Sequence, residues 1–229
     1  MFKLIKKIFK NQVDSTTPTI IYKTTSCLGK DKSLDFIPTL IIPKNNKKNI
    51  LILDDNIEAA EITSLDFNFL FSISSKLKEN GIEKLTPKQH EFISKLPNDL
   101  FKLLTTLDID NFNIIIASTE MAAFSVFKAI DAGCKFDYAI LDILIGGYNK
   151  YDDKFQILDG IDIAYKFQTN GLKTKYLFYS GCSLVENSEE TVKFYKLFKD
   201  VNFDKLIIMK DRDLYGKRLK LLELLSDGI

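Results

Sequence analysis

The residues able to do chemistry in this chain come as a short ordered series. Asp54 and Asp55 follow the apolar run NILIL, Asp142 follows YAIL, Ser180 follows KYLFY, and Lys210 follows KLIIM. A short apolar run that ends abruptly in a polar group reads as a buried parallel strand whose C-terminal end opens onto a site. In open α/β sheets ligands bind at the carboxyl ends of the strands. Four strands then deliver three carboxylates, one hydroxyl and one amine to a single edge, a set that suits a divalent cation and a phosphoryl group.

The residue types fit that pairing. Mg²⁺ is hard, octahedral and reluctant to dehydrate, so one or two carboxylates, waters and phosphate oxygens hold it. Asp54 and Asp55 are adjacent and can reach one ion, one directly and one through water. Asp142 can serve as a third ligand and as a nucleophile, because carboxylates form acyl phosphates. Phosphoryl transfer needs positioning and charge neutralisation more than covalent help. Mg²⁺ and the Lys210 ammonium would supply the neutralisation, and the Ser180 hydroxyl would hydrogen-bond a phosphoryl oxygen with Gly181 leaving room beside it.

The segments ILILDDN (50–56), FDYAILDI (136–143), LDGIDIA (158–164), YLFYSG (176–181) and LIIMK (206–210) resemble the receiver domain of two-component response regulators. The resemblance spans residues 48 to 225. It implies a CheY-like, flavodoxin-like α/β fold: a doubly wound five-stranded parallel sheet in the order 2-1-3-4-5. It implies that Mg²⁺, the only cofactor, is held by Asp54, Asp55, Asp142 and the backbone carbonyl of Leu144. Asp142 becomes the phosphoacceptor, Ser180 the switch hydroxyl and Lys210 the phosphate-binding lysine. The implied partners are a histidine kinase or phosphotransfer protein and a downstream effector protein, in a bacterial cytoplasm. The chain departs from the family at Asp211, where a proline usually follows the lysine, at Ile207, where an aromatic residue is usual, and at Gly146, where a proline is common. A polar insertion, GYNKYDDKFQ (147–156), follows.

The elements that must position these groups alternate along the chain. Strands are expected at 49–54, 112–117, 136–141, 175–179 and 206–209, and helices at 57–79, 119–132, 159–169, 187–199 and 213–226. Ile62, Leu65, Phe69, Ile73 and Leu77 mark the apolar spacing of the first helix, and Val192, Tyr195 and Phe198 are the inward candidates of the fourth. Strands alternating with helices imply a parallel sheet with right-handed crossovers. A helical insertion around 82–108 has Pro87 at a helix start and Pro97 as a break. It reads either as a solvated elaboration or as a recognition surface for a kinase or effector.

Residues 1–47 form an N-terminal extension to a receiver-like domain at 48–229. TIIYKTTS (19–26) and FIPTLIIP (36–43) are β-prone runs divided by the polar turn GKDKS, the pattern of a hairpin, with Pro38 and Pro43 confining the second run to an edge. A hairpin of this size rarely stands alone, so it would lie on the domain or pair with another chain. NNKK (45–48) reads as a short linker. In MFKLIKKIFK, Phe2, Ile5 and Phe9 share one helical face opposite Lys3, Lys6, Lys7 and Lys10. The pattern is not a signal peptide. It suits an interfacial helix on anionic lipid, yet ten residues make a marginal helix alone. The arm is therefore read as packed on the domain or frayed rather than bound to a membrane surface.

The chain has 229 residues, long for one receiver and short for a receiver plus a usual output domain. Lys+Arg 32 against Asp+Glu 31 leaves a net charge of +1, no global field for nucleic acid. Cys27, Cys134 and Cys182 form no zinc or disulfide pattern, and Cys134 reads as a core thiol. The one histidine, His90, sits in a polar helical stretch expected to be exposed, so no histidine dyad is available. The expected protein is a signalling receiver and not an enzyme. The rivals are a pseudo-receiver that never takes phosphate and a Mg²⁺-dependent aspartyl-phosphate hydrolase. The hydrolase is disfavoured because Leu144 stands where dehalogenase-like phosphatases place a second aspartate.

Overall fold

The computed structural model describes residues 40–118, 122–143, 159–181, 189–198, 206–210 and 213–226, with the backbone alone for 21–23 and 189–191. Among the described residues six strands form one sheet: β1 (Ile21–Lys23), β2 (Lys48–Leu53), β3 (Phe112–Ala117), β4 (Tyr138–Asp142), β5 (Lys175–Ser180) and β6 (Ile207–Met209). Their order is β1-β3-β2-β4-β5-β6, and every neighbouring pair is parallel. The five expected strands thus occur in the expected order, and β1 adds a sixth at the β3 edge. Their apolar, β-branched runs suit strands covered on both faces.

Seven α-helices are described between and after the strands: α1 (Ile57–Asn80), α2 (Pro87–Ser94), α3 (Asn98–Thr106), α4 (Ala122–Asp131), α5 (Gly160–Thr169), α6 (Glu189–Leu197) and α7 (Leu214–Leu225). Side chains alternate across a strand with period two, and the sheet sorts accordingly. Ile50, Ile52, Ile114, Tyr138, Ile140, Tyr179 and Ile208 face α1 and α7, where they meet Phe67, Leu70 and Leu221. Leu51, Leu53, Ile115, Leu141 and Phe178 face α4, α5 and α6, where they meet Val126, Ile161, Phe167 and Phe194. Cys134 is a half-buried free thiol against this second core.

The insertion is a structural layer rather than a solvated appendage. Thr86 and Gln89 form a capping box at the start of α2, with Pro87 in the first turn. Phe92, Leu100, Leu104 and Leu107 join the α1/α7 core. Polar contacts seal the joint: Gln89 Nε2 donates to Ser72 Oγ at 2.7 Å, Ser74 Oγ to the Leu107 carbonyl at 2.8 Å, and Tyr215 Oη to the Lys95 carbonyl at 2.6 Å. Phe92 meets Phe69 edge-on at 5.6 Å. The hairpin therefore spans from α1 to α7. His90, expected to be exposed, is partly buried on α2.

Two helix faces differ from expectation. Ile62 is 51% exposed and Leu65 37%, while Ala60, Thr63, Ser64, Asp66, Phe67, Leu70, Phe71, Ile73 and Ser74 are buried on α1. This helix touches the sheet, α3 and α7, so its buried stripe is wide and includes polar residues that an apolar pattern omits. On α6, Val192 and Tyr195 are exposed and Phe194 turns inward in their place, while Phe198, just past the helix end, is buried as expected. Phe194 lies edge-on to Phe178 at 5.7 Å and stacks on Phe198 at 4.9 Å, so an i, i+4 aromatic pair sets the face.

The N-terminal extension contributes to the sheet. Ile21–Lys23, part of the run expected to form a hairpin with 36–43, pairs in parallel with β3, Ile21 opposite Ile114, so this run lies on the domain. This pairing covers the β3 edge that a five-stranded sheet would leave open. Residues 24–39, the rest of that expected hairpin, and the basic arm 1–10 lie outside the described residues. Leu40 is buried in the second core with Ile42 packed against it, and Asn45 exchanges side-chain hydrogen bonds with Asn113 at 3.3 and 2.9 Å. Among the described residues no helix is long and apolar enough to cross a membrane.

Candidate functional site

The carboxyl edge of the sheet gathers the acidic residues. Asp54 leaves β2 with its N–H donated to the Ala117 carbonyl at 3.2 Å. Its Oδ1 accepts the Asn56 N–H at 2.9 Å, and Asn56 in turn caps α1 through the N–H groups of Glu58 and Ala59. The turn is thereby built around Asp54, which is 1% exposed. Asp142 ends β4 and is 2% exposed, whereas Asp55 is exposed. Carboxylate oxygens of Asp54, Asp55 and Asp142 lie within 4.8 Å of one another.

Strand parity decides which groups meet. Asp54 continues the series of Ile50 and Ile52, Asp142 that of Tyr138 and Ile140, and Lys210 that of Ile208, so all three project on the α1/α7 side. The Lys210 ammonium donates to Asp142 Oδ2 at 2.7 Å and stands 3.0 Å from Asp54 Oδ2. The Lys210 N–H donates to the Ser180 carbonyl at 2.7 Å, which ties the lysine to β5. Burial alone would lower the pKa of Lys210, but Asp142 and then Asp54 outweigh it and hold the ammonium above the usual lysine range.

Ser180 is buried, one residue beyond Tyr179, which lies opposite Asp142 in the ladder. Its parity follows Phe178, toward the opposite side of the sheet from Asp142. A Cβ on Gly181 would stand 3.6 Å from Lys210 Cδ, an ordinary contact, so space alone does not require glycine there. The Leu144 carbonyl, Gly146, the 147–156 insertion and Asp211 lie outside the described residues. The structure thus brings Asp54, Asp55, Asp142 and Lys210 together and sets Ser180 on the adjoining strand.

The donor set is all oxygen and all carboxylate, which favours a hard cation such as Mg²⁺, Ca²⁺ or Mn²⁺ over a thiol- or imidazole-loving metal. The cluster could hold such an ion. Two of its carboxylate oxygens already contact Lys210, so an ion binding there would compete with the ammonium for them.

Three features carry the site without standing out in its sequence. Gly160 opens α5 directly on the end of β4: an added Cβ would lie 2.2 Å from the Asp142 carbonyl oxygen. The DG dipeptide before an apolar helix was the available signal. Asp159 and Asp162 form a capping box on α5, and Lys193 from α6 bonds both carboxylates at 2.8 and 2.6 Å. Burial raises the pKa of Asp159 despite the Lys193 hydrogen bond. Behind Lys210, Tyr179 leads to a buried ion cluster of Lys217, Asp66 and Arg218, for which the sequence holds no local pattern.

No family model matches the chain, and no curated protein matches it. Among solved structures it is similar to the signal receiver domain of the response regulator NarL from Mycobacterium tuberculosis, at 15% identity and a TM-score of 0.40, over 78% of this chain and 95% of that one. It is similar to the N-terminal domain of a response regulator/sensory box/GGDEF protein from Carboxydothermus hydrogenoformans at 15% identity and a TM-score of 0.37, over 77% of this chain and 97% of that one. A LuxR-family DNA-binding response regulator from Staphylococcus aureus matches at 11% identity and a TM-score of 0.36, over 77% and 98%. These likenesses are distant, and the fold stands on the strand order and register above.

Proposed function

We propose that this chain is a phosphoacceptor receiver of the response-regulator type, with Asp142 as the residue modified. The observation that carries the reading is the cluster of Asp54, Asp55 and Asp142, with the Lys210 ammonium on the two buried carboxylates, at the carboxyl edge of a parallel sheet of this order. An Asp142 carboxylate oxygen attacks the phosphorus of a phosphohistidine on a kinase or phosphotransfer protein. A P–O bond forms, the P–N bond breaks, and the imidazole leaves with the electron pair. Mg²⁺ held by Asp54, Asp55 and Asp142, with the Leu144 carbonyl as the family resemblance implies, would neutralise charge on the phosphoryl oxygens.

The chain's own groups do the rest. Lys210 exchanges its carboxylate partners for a phosphoryl oxygen, and the end of β5 must turn the Ser180 hydroxyl toward Asp142 for it to donate to another. The modification adds charge and strong acceptors at Asp142, which re-biases a two-state equilibrium and is read by an effector protein. The protein modifies itself once per cycle and does not turn over an external substrate. A second reading, a pseudo-receiver that keeps the fold without taking phosphate, is favoured by Lys210 already pairing with both buried carboxylates and by Ile207 in place of an aromatic residue.

One experiment separates the readings. With Mg²⁺ and acetyl phosphate, intact mass should rise by one phosphoryl group that hydroxylamine removes, and Asp142→Asn should stay unmodified. An unchanged mass under forcing donor concentrations, together with no binding of beryllofluoride, would establish the pseudo-receiver.

A further inference from the structure

Tyr179 lies opposite Asp142 on the neighbouring strand, and two ammonium groups share its ring. Lys210, from the acidic site, stands 5.2 Å from the ring centroid, and Lys217, from α7, stands 4.5 Å from it. Lys217 also donates to Tyr179 Oη at 2.9 Å and to Thr63 Oγ1 at 3.4 Å. It is 4% exposed and pairs with Asp66 at 3.0 Å. Asp66 binds Arg218 Nε at 2.9 Å, and the Arg218 guanidinium lies 3.6 Å from the Phe69 ring. Phe69 meets Phe92 of the insertion, and Phe92 meets Tyr215 of α7 at 5.4 Å.

A buried ion cluster is expensive to desolvate, and apolar residues of like volume would often serve stability as well or better. Its placement one ring away from the acidic site therefore calls for a role beyond packing. The ring face attracts cations through its quadrupole, so the seat of one ammonium depends on the other. Any event that takes Lys210 off Asp54 and Asp142 changes one occupant of the ring, and Lys217 answers through the same ring and through the Tyr179 hydroxyl.

We propose that Tyr179 is the positioning residue through which the state of the acidic site reaches α7 and the α2–α3 insertion, by way of Lys217 and Asp66. The coupling rests on the receiver reading and specifies its output: the surface that reports modification includes α7 and the inserted hairpin. Ile207 leaves β6 without an aromatic side chain near Lys210, and Tyr179 supplies the ring from the adjoining strand.

The test is hydrogen exchange of the full chain, followed by mass spectrometry, with Mg²⁺ and then Mg²⁺ plus beryllofluoride as the probe. In the wild type, exchange in 213–226 and 87–95 should change about two- to fivefold, the size of one cation–π contact. Tyr179→Leu should still bind the probe, with a dissociation constant within about tenfold of the wild type, yet lose the response in both segments. Tyr179→Phe, which keeps the ring and the packing, should lose the part carried by the hydroxyl. Lys217→Met should lose the response while keeping most of the stem volume. A response that persists unchanged in Tyr179→Leu and Lys217→Met overturns the proposal. So does a wild type that binds the probe without any change in 213–226, an outcome that leaves the receiver reading intact. A wild type that binds neither Mg²⁺ nor beryllofluoride removes both.

Discussion

Asp142→Asn should make the metal-free protein more stable, although it removes the residue proposed to be modified. The attraction lost is that of Lys210 at 2.7 Å, about 6 kcal/mol at an effective dielectric near 20. Against it stands repulsion from Asp54, whose nearest relevant oxygen lies within 4.8 Å, at least about 3 kcal/mol on the same scale. Asp55 is exposed and screened, and adds about 1 kcal/mol. Asp142 itself is 2% exposed, and burying its charge carries a further penalty of several kcal/mol. The unfavourable terms therefore match or exceed the attraction. The usual damage from breaking a buried pair, an orphaned charge, does not arise. Lys210 keeps Asp54 at 3.0 Å, and the amide oxygen of the substituted side chain can still accept from it. The variant should gain about 1–2 kcal/mol in EDTA. Wild type should gain about 2.7 kcal/mol when free Mg²⁺ reaches a hundred times its dissociation constant, and the variant should gain less at that concentration because one ligand has lost its charge. Urea titrations of both proteins, in EDTA and in Mg²⁺, measure these quantities. If Asp142→Asn is destabilised in EDTA and responds to Mg²⁺ as the wild type does, the three carboxylates do not share a site.

Gly160→Ala should destabilise the fold by about 1–3 kcal/mol or more, because the new Cβ would meet the Asp142 carbonyl oxygen at 2.2 Å; a denaturation midpoint equal to wild type would show that α5 does not start against β4. Leu104→Ala, in the insertion, should cost about 2–5 kcal/mol because Leu104 is fully buried in the α1/α7 core, whereas a solvated appendage would show almost no change. Burial lowers the Lys193 pKa, but the hydrogen bonds it donates to Asp159 and Asp162 outweigh that and hold it above the ordinary lysine value of 10.5. A raised folded pKa means that the stability it confers is fully present below 10.5 and is lost as pH rises through the higher folded value. The stability gap between wild type and Lys193→Met should accordingly shrink in that alkaline window, and a gap that widens there would contradict the clasp.

The strands and the acidic series were legible from local pattern alone. Runs such as NILIL and YAIL need no distant partner to read as buried parallel strands, and the polar residue ending each run lies at the carboxyl edge by the geometry of the sheet. Pro87 likewise marks the α2 start and Pro97 the break before α3 by their own stereochemistry. Other features depended on elements far away in sequence. The inward face of α1 was set by its simultaneous contact with the sheet, α3 and α7, so buried Thr63, Ser64 and Asp66 disguise the stripe that an apolar period would reveal. Asp66 meets Lys217 and Arg218 across more than a hundred residues of chain, and a charge pair at that separation has no spacing to recognise. The pairing of β1 with β3 and the integration of the insertion into the core were decided in the same way. Periodicity reports only what a segment does to its own neighbours, whereas burial, ring sharing and ion pairing are settled by whichever surfaces the fold presses together.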